Sequence, residues 1–229
     1  MTMKLHLSSA ASAAFACFLA AAPAQAQEED AQLWTSATAR LDVGDDTSLS
    51  TQIVARFSDA ANGLNEMQLQ ADLEKGVREG LRIGAGYSYV TRHDQREVTS
   101  REHRIRQQVS VGLGEVLGGR VEGRLRLEQR WRDDGDDLML RLRPRLMWTL
   151  PIGPNDLDLR LWSESFIQLN DTDWGGEARY ARVRNQVSLR RSLGRSVTGE
   201  VGYLNQYNLS ETGPDQLAHA LTFAMSFDF

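Results

Sequence analysis

Leu217-Ala-His-Ala-Leu-Thr-Phe-Ala-Met-Ser-Phe-Asp-Phe229, the carboxyl-terminal stretch of the chain, alternates between two kinds of side chain. Leu217, Leu221, Phe223, Met225, Phe227 and Phe229 share one parity. Ala218, Ala220, Thr222, Ala224, Ser226 and Asp228 fill the other with small or polar groups. Successive side chains of a strand point to opposite faces, so this is a strand with one greasy face and one small, wet face. A half-buried strand of a soluble sandwich has the same pattern. Recurrence along the chain and export decide between a sandwich and a membrane barrel.

The alternation recurs in eleven segments: residues 31–41, 47–57, 65–74, 81–91, 101–113, 120–131, 138–150, 157–169, 179–190, 197–208 and 217–229. Leu49, Thr51, Ile53, Ala55 and Phe57 form the greasy side of the second. Leu138, Leu140, Leu142, Leu146, Trp148 and Leu150 form that of the seventh. None of these runs keeps apolar residues at the i, i+3, i+4, i+7 spacing of a helix over three turns. Gln107, Pro144, Ser165 and Asn205 break the greasy parity. Pro144 also lacks a ladder donor, which predicts a bulge there. The connections form two alternating sets. Residues 42–46, 75–80, 114–119, 151–156 and 191–196 are tight and rich in Gly or Pro. Residues 58–64, 92–100, 132–137, 170–178 and 209–216 are mostly longer and polar.

Export is written at the other end. Lys4, an apolar run from Leu5 to Ala22 and the sequence Ala24-Gln25-Ala26 are the parts of a signal peptide cleaved after Ala26. Residues 1–26 are therefore a signal peptide and residues 27–229 the mature domain. Cys17, the one cysteine, falls in the leader, so the mature chain has no disulfide or thiolate metal site. Beyond residue 26 no apolar run approaches the ~20 residues of a membrane helix. Low hydropathy is compatible with a barrel, which shows lipid only alternate residues.

An exported chain of alternating segments, with tight turns on one side and longer loops on the other, is the expected form of a transmembrane β-barrel. The expectation is an all-β, antiparallel up-and-down barrel of ten to twelve strands in the bacterial outer membrane. An aromatic-ended final strand resembles the closing strand of bacterial outer-membrane barrels. That resemblance makes Phe229 and Phe227 a signal read by the barrel-assembly machinery. Eleven segments conflict with the even strand numbers of single-chain bacterial barrels. Either a strand is missed or split, or the first segment runs through the lumen. Aromatic residues near segment ends, among them Phe57, Tyr87, Trp131, Trp148 and Tyr203, suit the membrane interfaces.

The formal charge of −5, or −6 without Lys4, gives no reason to expect nucleic acid. The wet parity nevertheless carries sixteen arginines: Arg40, Arg56, Arg82, Arg104, Arg106, Arg120, Arg124, Arg126, Arg130, Arg141, Arg143, Arg145, Arg160, Arg182, Arg184 and Arg190. Nine acids oppose them: Asp72, Glu74, Glu102, Glu122, Glu128, Asp158, Glu164, Glu200 and Asp228. Nearly all the remaining acid is assigned to turns and loops. Two readings follow. Arg–acid pairs with Glu102, Glu122, Glu128 and Glu164 fill a closed interior, because buried charges must be paired. Alternatively, unpaired arginines make a path for anions, which rings of arginine select in pores. The path would run past Arg104, Arg106, Arg124, Arg126, Arg130, Arg141, Arg143, Arg145, Arg182 and Arg184. The Arg141/Arg143/Arg145 ladder is expected to face Arg120, Arg124, Arg126 and Arg130.

Catalysis has weaker support. His93 is read in an outer loop; His103 and His219 lie on the greasy parity near strand ends. Neither has an adjacent serine in sequence, and a rim lipid hydrolase is the third reading. Asp133-Asp134-Gly135-Asp136-Asp137 has oxygen ligands but not the twelve-residue calcium-loop pattern, so no metal is assigned. It reads as a solvated turn meeting lipopolysaccharide-bridging cations. Gly84-x-Gly86 and Gly112-x-Gly114 are small residues on strand faces rather than phosphate loops, and no cofactor is implied.

Several stretches resemble the bacterial outer-membrane domain-of-unknown-function 2490 family. They are Gln32-Leu-Trp34, Arg82-Ile-Gly-Ala-Gly-Tyr87, Glu102-His-Arg104, Arg124-Leu-Arg-Leu-Glu-Gln-Arg130, Leu140-Arg-Leu-Arg-Pro-Arg-Leu146, Glu164-Ser-Phe166, Arg182-Val-Arg-Asn185 and the terminal strand around His219. The similarity covers residues 31–229. It implies an outer-membrane barrel and supplies no activity. The expected partners are outer-membrane lipid and lipopolysaccharide, the assembly machinery and a small anionic solute.

Overall fold

The computed structural model describes residues 28–154, 156–210 and 213–229; the leader 1–26 expected from the sequence lies outside them. Eleven strands follow one another: β1 (Glu28–Gly44), β2 (Thr47–Ser58), β3 (Gly63–Arg78), β4 (Leu81–Asp94), β5 (Glu97–Val116), β6 (Gly119–Arg132), β7 (Met139–Gly153), β8 (Leu157–Gln168), β9 (Tyr180–Ser192), β10 (Val197–Asn208) and β11 (Gln216–Asp228). Each pairs with its neighbour in sequence, and β1 pairs with β11 to close the barrel.

The closing pair is parallel, in register from Glu28 opposite Gln216 to Arg40 opposite Asp228. Consecutive strands of a meander reverse direction, so the first and last of an odd set point the same way. The eleven segments are thus eleven wall strands, and the expected even number and wholly antiparallel ladder are corrected. Among the described residues each segment is one wall strand, and β1 forms wall rather than a lumenal plug. Both ends of the seam are tied. The Glu28 N–H donates to the Asp215 carbonyl (3.2 Å) and the Phe229 N–H to the Arg40 carbonyl (2.9 Å).

At one end, the turn rim, connections span two to four residues. Leu117 (φ 52°) and Gly118 (φ 77°) make one of them with the left-handed pair that hairpin twist favours. At the opposite end, the loop rim, 133–138, 169–179 and 209–215 are longer. The other two are not: 59–62 is a four-residue turn and 95–96 a two-residue one. The expected long loop at 92–100 is therefore mostly strand, and His93 lies in β4 rather than in a loop. The turn uses Gln95 (φ 47°) and Arg96 (φ 74°), residues that carry none of the Gly or Asn signal for this geometry.

Pro144 makes no bulge. It pairs with Leu125 in unbroken register, and β7 keeps one register with β8 on either side of it. The missing donor removes a rung, not a residue. Irregularities occur instead near strand ends, at Asp42/Gly44, Arg92/His93 and Gly112/Gly114.

Parity places the side chains as the alternation requires. Among the described residues, nineteen buried ones are polar or charged and nine are apolar, while thirty-three large apolar or tyrosine side chains are exposed. Leu49, Ile53, Leu69, Leu73, Ile83 and Val109 are among those on the outer wall. The fold is inside-out relative to a soluble domain, with its polar groups in the core.

Candidate functional site: an arginine-lined lumen

Inward parity sets the arginines of β5, β6 and β7 side by side. The register puts Arg145 opposite Arg124 and Arg143 opposite Arg126, as expected, but Arg141 opposite Glu128. Arg130 faces Met139 and Arg120 faces Thr149. Glutamates interrupt the arginines and form two chains of alternating charge.

The first chain runs over β2 to β6. Arg56 bonds Glu66, and Arg92 bridges Glu66 (3.7 Å) and Glu102 (3.2 Å). Arg104 forks onto both oxygens of Glu102, Nε to Oε1 at 2.7 Å and Nη2 to Oε2 at 2.9 Å. Arg130 adds a second fork, with Nη2 to Oε2 at 3.1 Å. The second chain runs over β6 to β8. Arg141 Nε donates to Glu128 Oε2 (2.8 Å), and Arg143 spans Glu128 Oε1 and Glu164 Oε2 at 2.5 Å each. Arg124 completes it on Glu164. Paired forks of this kind are what hold buried carboxylates in place.

Small residues let pairs skip a strand. Asp72, Gly86 and Arg106 stand opposite one another on β3, β4 and β5. Arg106 Nη2 reaches Asp72 Oδ2 at 2.9 Å across the bare glycine. A Cβ on Gly86 would meet Asp72 Oδ1 at 2.0 Å. Gln108 bonds Glu74 in the same way across Gly84.

These side chains surround a cavity of about 460 Å³. Its lining holds thirteen arginines and four carboxylates: Glu66, Asp72, Glu128 and Glu164. All ten arginines singled out from the sequence line it. Of the four acids, Glu128 and Glu164 line it and Glu102 is buried among Arg92, Arg104 and Arg130. Glu122 lies outside the lining, bonded by Arg82 (2.7 Å) and Arg145 (3.7 Å). Arg126, Arg182 and Arg184 have no carboxylate within ion-pair distance among the described residues. Arg126 donates to Gln108 (2.6 Å) and Arg184 to Gln206 (2.7 Å). Arg56, Arg106, Arg124 and Arg143 each bury an Nε, and Arg92 an Nη1, that no protein acceptor takes.

Sequence reading missed Glu66 and Arg92. Glu66 shares the wet parity of Gln68, Gln70 and Asp72, which was the available signal; Arg92 was hidden in the supposed loop. It also missed the inward aromatics. Trp34, Trp162 and Leu204 pack together with Ala220 on the lumen side. Phe166 is 2% exposed, with Arg143 at 4.4 Å and Arg184 at 4.6 Å from its ring centre.

At the loop rim two connections clasp one another. Asp173 accepts the N–H groups of Asp136 (2.9 Å) and Asp137 (3.2 Å), which hold its carboxyl below the ordinary aspartate range. Asp137 accepts the Asp173 N–H in return (2.8 Å), and Trp174 Nε1 donates to the Asp137 carbonyl (2.9 Å). Trp174 thereby sits over Arg130 (5.2 Å) and Arg132 (5.0 Å) and roofs part of the cavity. The acidic turn 133–137 is accordingly a loop clasp.

On the outer wall, His103 contacts the Tyr87 hydroxyl (2.5 Å) and His219 that of Tyr203. No serine hydroxyl is among their hydrogen-bond partners in the described residues. Phe227 pairs with Val197 on the outward face, and Phe229 is exposed beyond the seam.

Comparison with known proteins places the chain without assigning an activity. It is 34% identical over 197 residues, 85% of its length and 86% of the relative's, to an uncharacterized protein of Methylorubrum extorquens. No solved structure matches it. A family described as a protein of unknown function (DUF2490) matches residues 31–218, and the chain belongs to that family.

Proposed function

We propose that this barrel sits in the bacterial outer membrane, turn rim toward the periplasm, and conducts small anions or acidic solutes through its lumen. The observation that carries the reading is an arginine excess around one cavity. With Glu102, Glu122 and Asp134 counted beside the four lining carboxylates, thirteen arginines meet seven acids, and Arg126, Arg182 and Arg184 meet none among the described residues. Buried charge needs a counter-charge, and here the protein supplies too few. Orphaned guanidinium N–H groups point the same way. The apolar outer wall supports the bilayer setting, since a charge there costs about 2–4 kcal/mol at mid-bilayer. Conduction requires guanidinium groups to exchange glutamate partners for a passing anion.

The test is purified protein in planar bilayers under a salt gradient. The expected result is discrete conductance with a reversal potential set by the anion; cation preference would overturn it. One observation favours a closed scaffold instead. Glu102 and Glu128 are 0% and 1% exposed, enclosed by arginines from their own and adjacent strands. That reading gives no conductance until a pair is cut, so Arg143→Ala would open a path that the unmodified barrel lacks.

A further inference from the structure

Arg184 is the most peculiar cation in the lumen. It is 5% exposed and has no carboxylate partner among the described residues. Gln206 takes its Nε, and among the described residues no acceptor takes its two Nη groups. Its guanidinium carbon lies 4.8 Å from the Trp34 ring centre and 4.6 Å from that of Phe166. Two aromatic faces hold the fork in one orientation, and a fork so held suits a bidentate oxyanion. Arg182, also without a carboxylate, stands two residues away on β9, 5.5 Å from the Phe166 ring centre.

Beside these forks the lining mixes apolar and polar groups. Trp34, Val54, Trp162 and Leu204 stand among Ser36, Gln52 and Gln186, and the lumen face of β11 behind them carries Ala218, Ala220, Thr222 and Ala224. An inorganic anion would use the fork and leave this wall unused. The cavity volume lies within the range of sites for small organic ligands, about 300–1,000 Å³.

We infer that the lumen holds one organic oxyanion with a flat apolar body, its head on the Arg184 and Arg182 forks and its body against the Trp34 and Trp162 side chains. The inference rests on reading the cavity as an anion site and names the anion's class. Carboxylate and phosphate heads share the chemistry that the fork recognises.

The test is calorimetric titration of the intact, folded barrel in micelles with 2-naphthoate, 2-naphthyl phosphate, 2-naphthalenemethanol and inorganic phosphate, with tryptophan quenching in parallel. One or both naphthyl oxyanions are expected to bind and to quench, which also distinguishes the two heads. The alcohol, which lacks the charged head, should bind about ten- to a hundredfold more weakly, the worth of a charge-assisted hydrogen bond. Inorganic phosphate, which keeps the head but buries no apolar body, should also bind more weakly than the naphthyl oxyanions. Equal binding of the alcohol, equal binding of inorganic phosphate, or no binding of either naphthyl oxyanion would each overturn the inference. Arg184→Gln should weaken oxyanion binding by a similar factor, while Arg191→Gln at the turn rim leaves it unchanged. Anion-selective conductance without naphthyl-oxyanion binding removes the inference alone. Binding without conductance removes the conduit alone.

Discussion

The lumen has two walls built by the same parity. The inward faces of β5, β6 and β7 carry Arg104, Arg106, Arg124, Arg126, Arg130, Arg141, Arg143 and Arg145. Those of β10, β11 and β1 carry mostly smaller or uncharged groups, Gly202, Leu204, Gln206, Ala218, Ala220, Thr222, Ala224, Trp34 and Ser36, with Glu200 toward the turn rim. A closed sheet of fixed strand number has a limited bore, so long side chains on one wall need short ones opposite. The bare seam wall gives the arginine wall its room. The difference also divides the work of holding the barrel together. Glutamate-linked arginines tie β2 through β8 side chain to side chain. The seam relies on its parallel ladder and the Trp34–Leu204–Ala220–Trp162 cluster.

The largest effect should come from the arginine wall. Glu128→Gln leaves Arg141 and Arg143 without their shared carboxylate, a loss of about 3–5 kcal/mol for breaking a buried pair. Urea unfolding of the barrel in lipid vesicles would measure it, and a loss near zero would mean that water already shields that pair. The seam should respond to volume rather than charge. Ala220 is fully buried, and Ala220→Leu should cost about 1–3 kcal/mol by overpacking. Gly86→Ala joins the two ideas, because its Cβ would displace Asp72 from Arg106. A similar cost of about 1–3 kcal/mol is expected, with only part of it cancelled when Asp72 is already Ala, because the Cβ also meets the Ala71 carbonyl at 2.7 Å. The smallest effect belongs to the loop clasp. Backbone donors hold the Asp173 carboxyl below its ordinary 3.8, so the clasp's contribution is present above that value and lost as pH falls through the lower one. Acid should therefore expose Trp174 to a soluble quencher while barrel circular dichroism stays unchanged; Asp173→Asn should remove that pH dependence.

Much of this was legible in the sequence because strand parity is simple. Leu49-x-Thr51-x-Ile53 and Arg141-x-Arg143-x-Arg145 say which side each residue faces without any knowledge of partners. The odd strand count was legible too, and its consequence, a parallel seam, follows from topology. What escaped depends on less common chemistry. Gln95 and Arg96 turn a hairpin without glycine or asparagine, so β4 and β5 looked shorter and Arg92 was set aside. Pro144 loses a donor without shifting register, which sequence alone does not separate from a bulge. Trp34 and Phe166 sit on the wet parity beside Ser36 and Glu164. An aromatic on that parity signals a lumen-side ring, which aromatic content alone does not separate from a membrane girdle. The clasp between 133–138 and 169–179 joins loops far apart in sequence and left no local trace.

The most direct trial of an anion-filled arginine lumen is crystallographic. Crystals of the barrel grown in bromide, with diffraction recorded at the bromine edge, should show anomalous peaks inside the lumen beside Arg126, Arg182 and Arg184. Bromide confined to the outer rims, with the lumen free of it, would contradict the account.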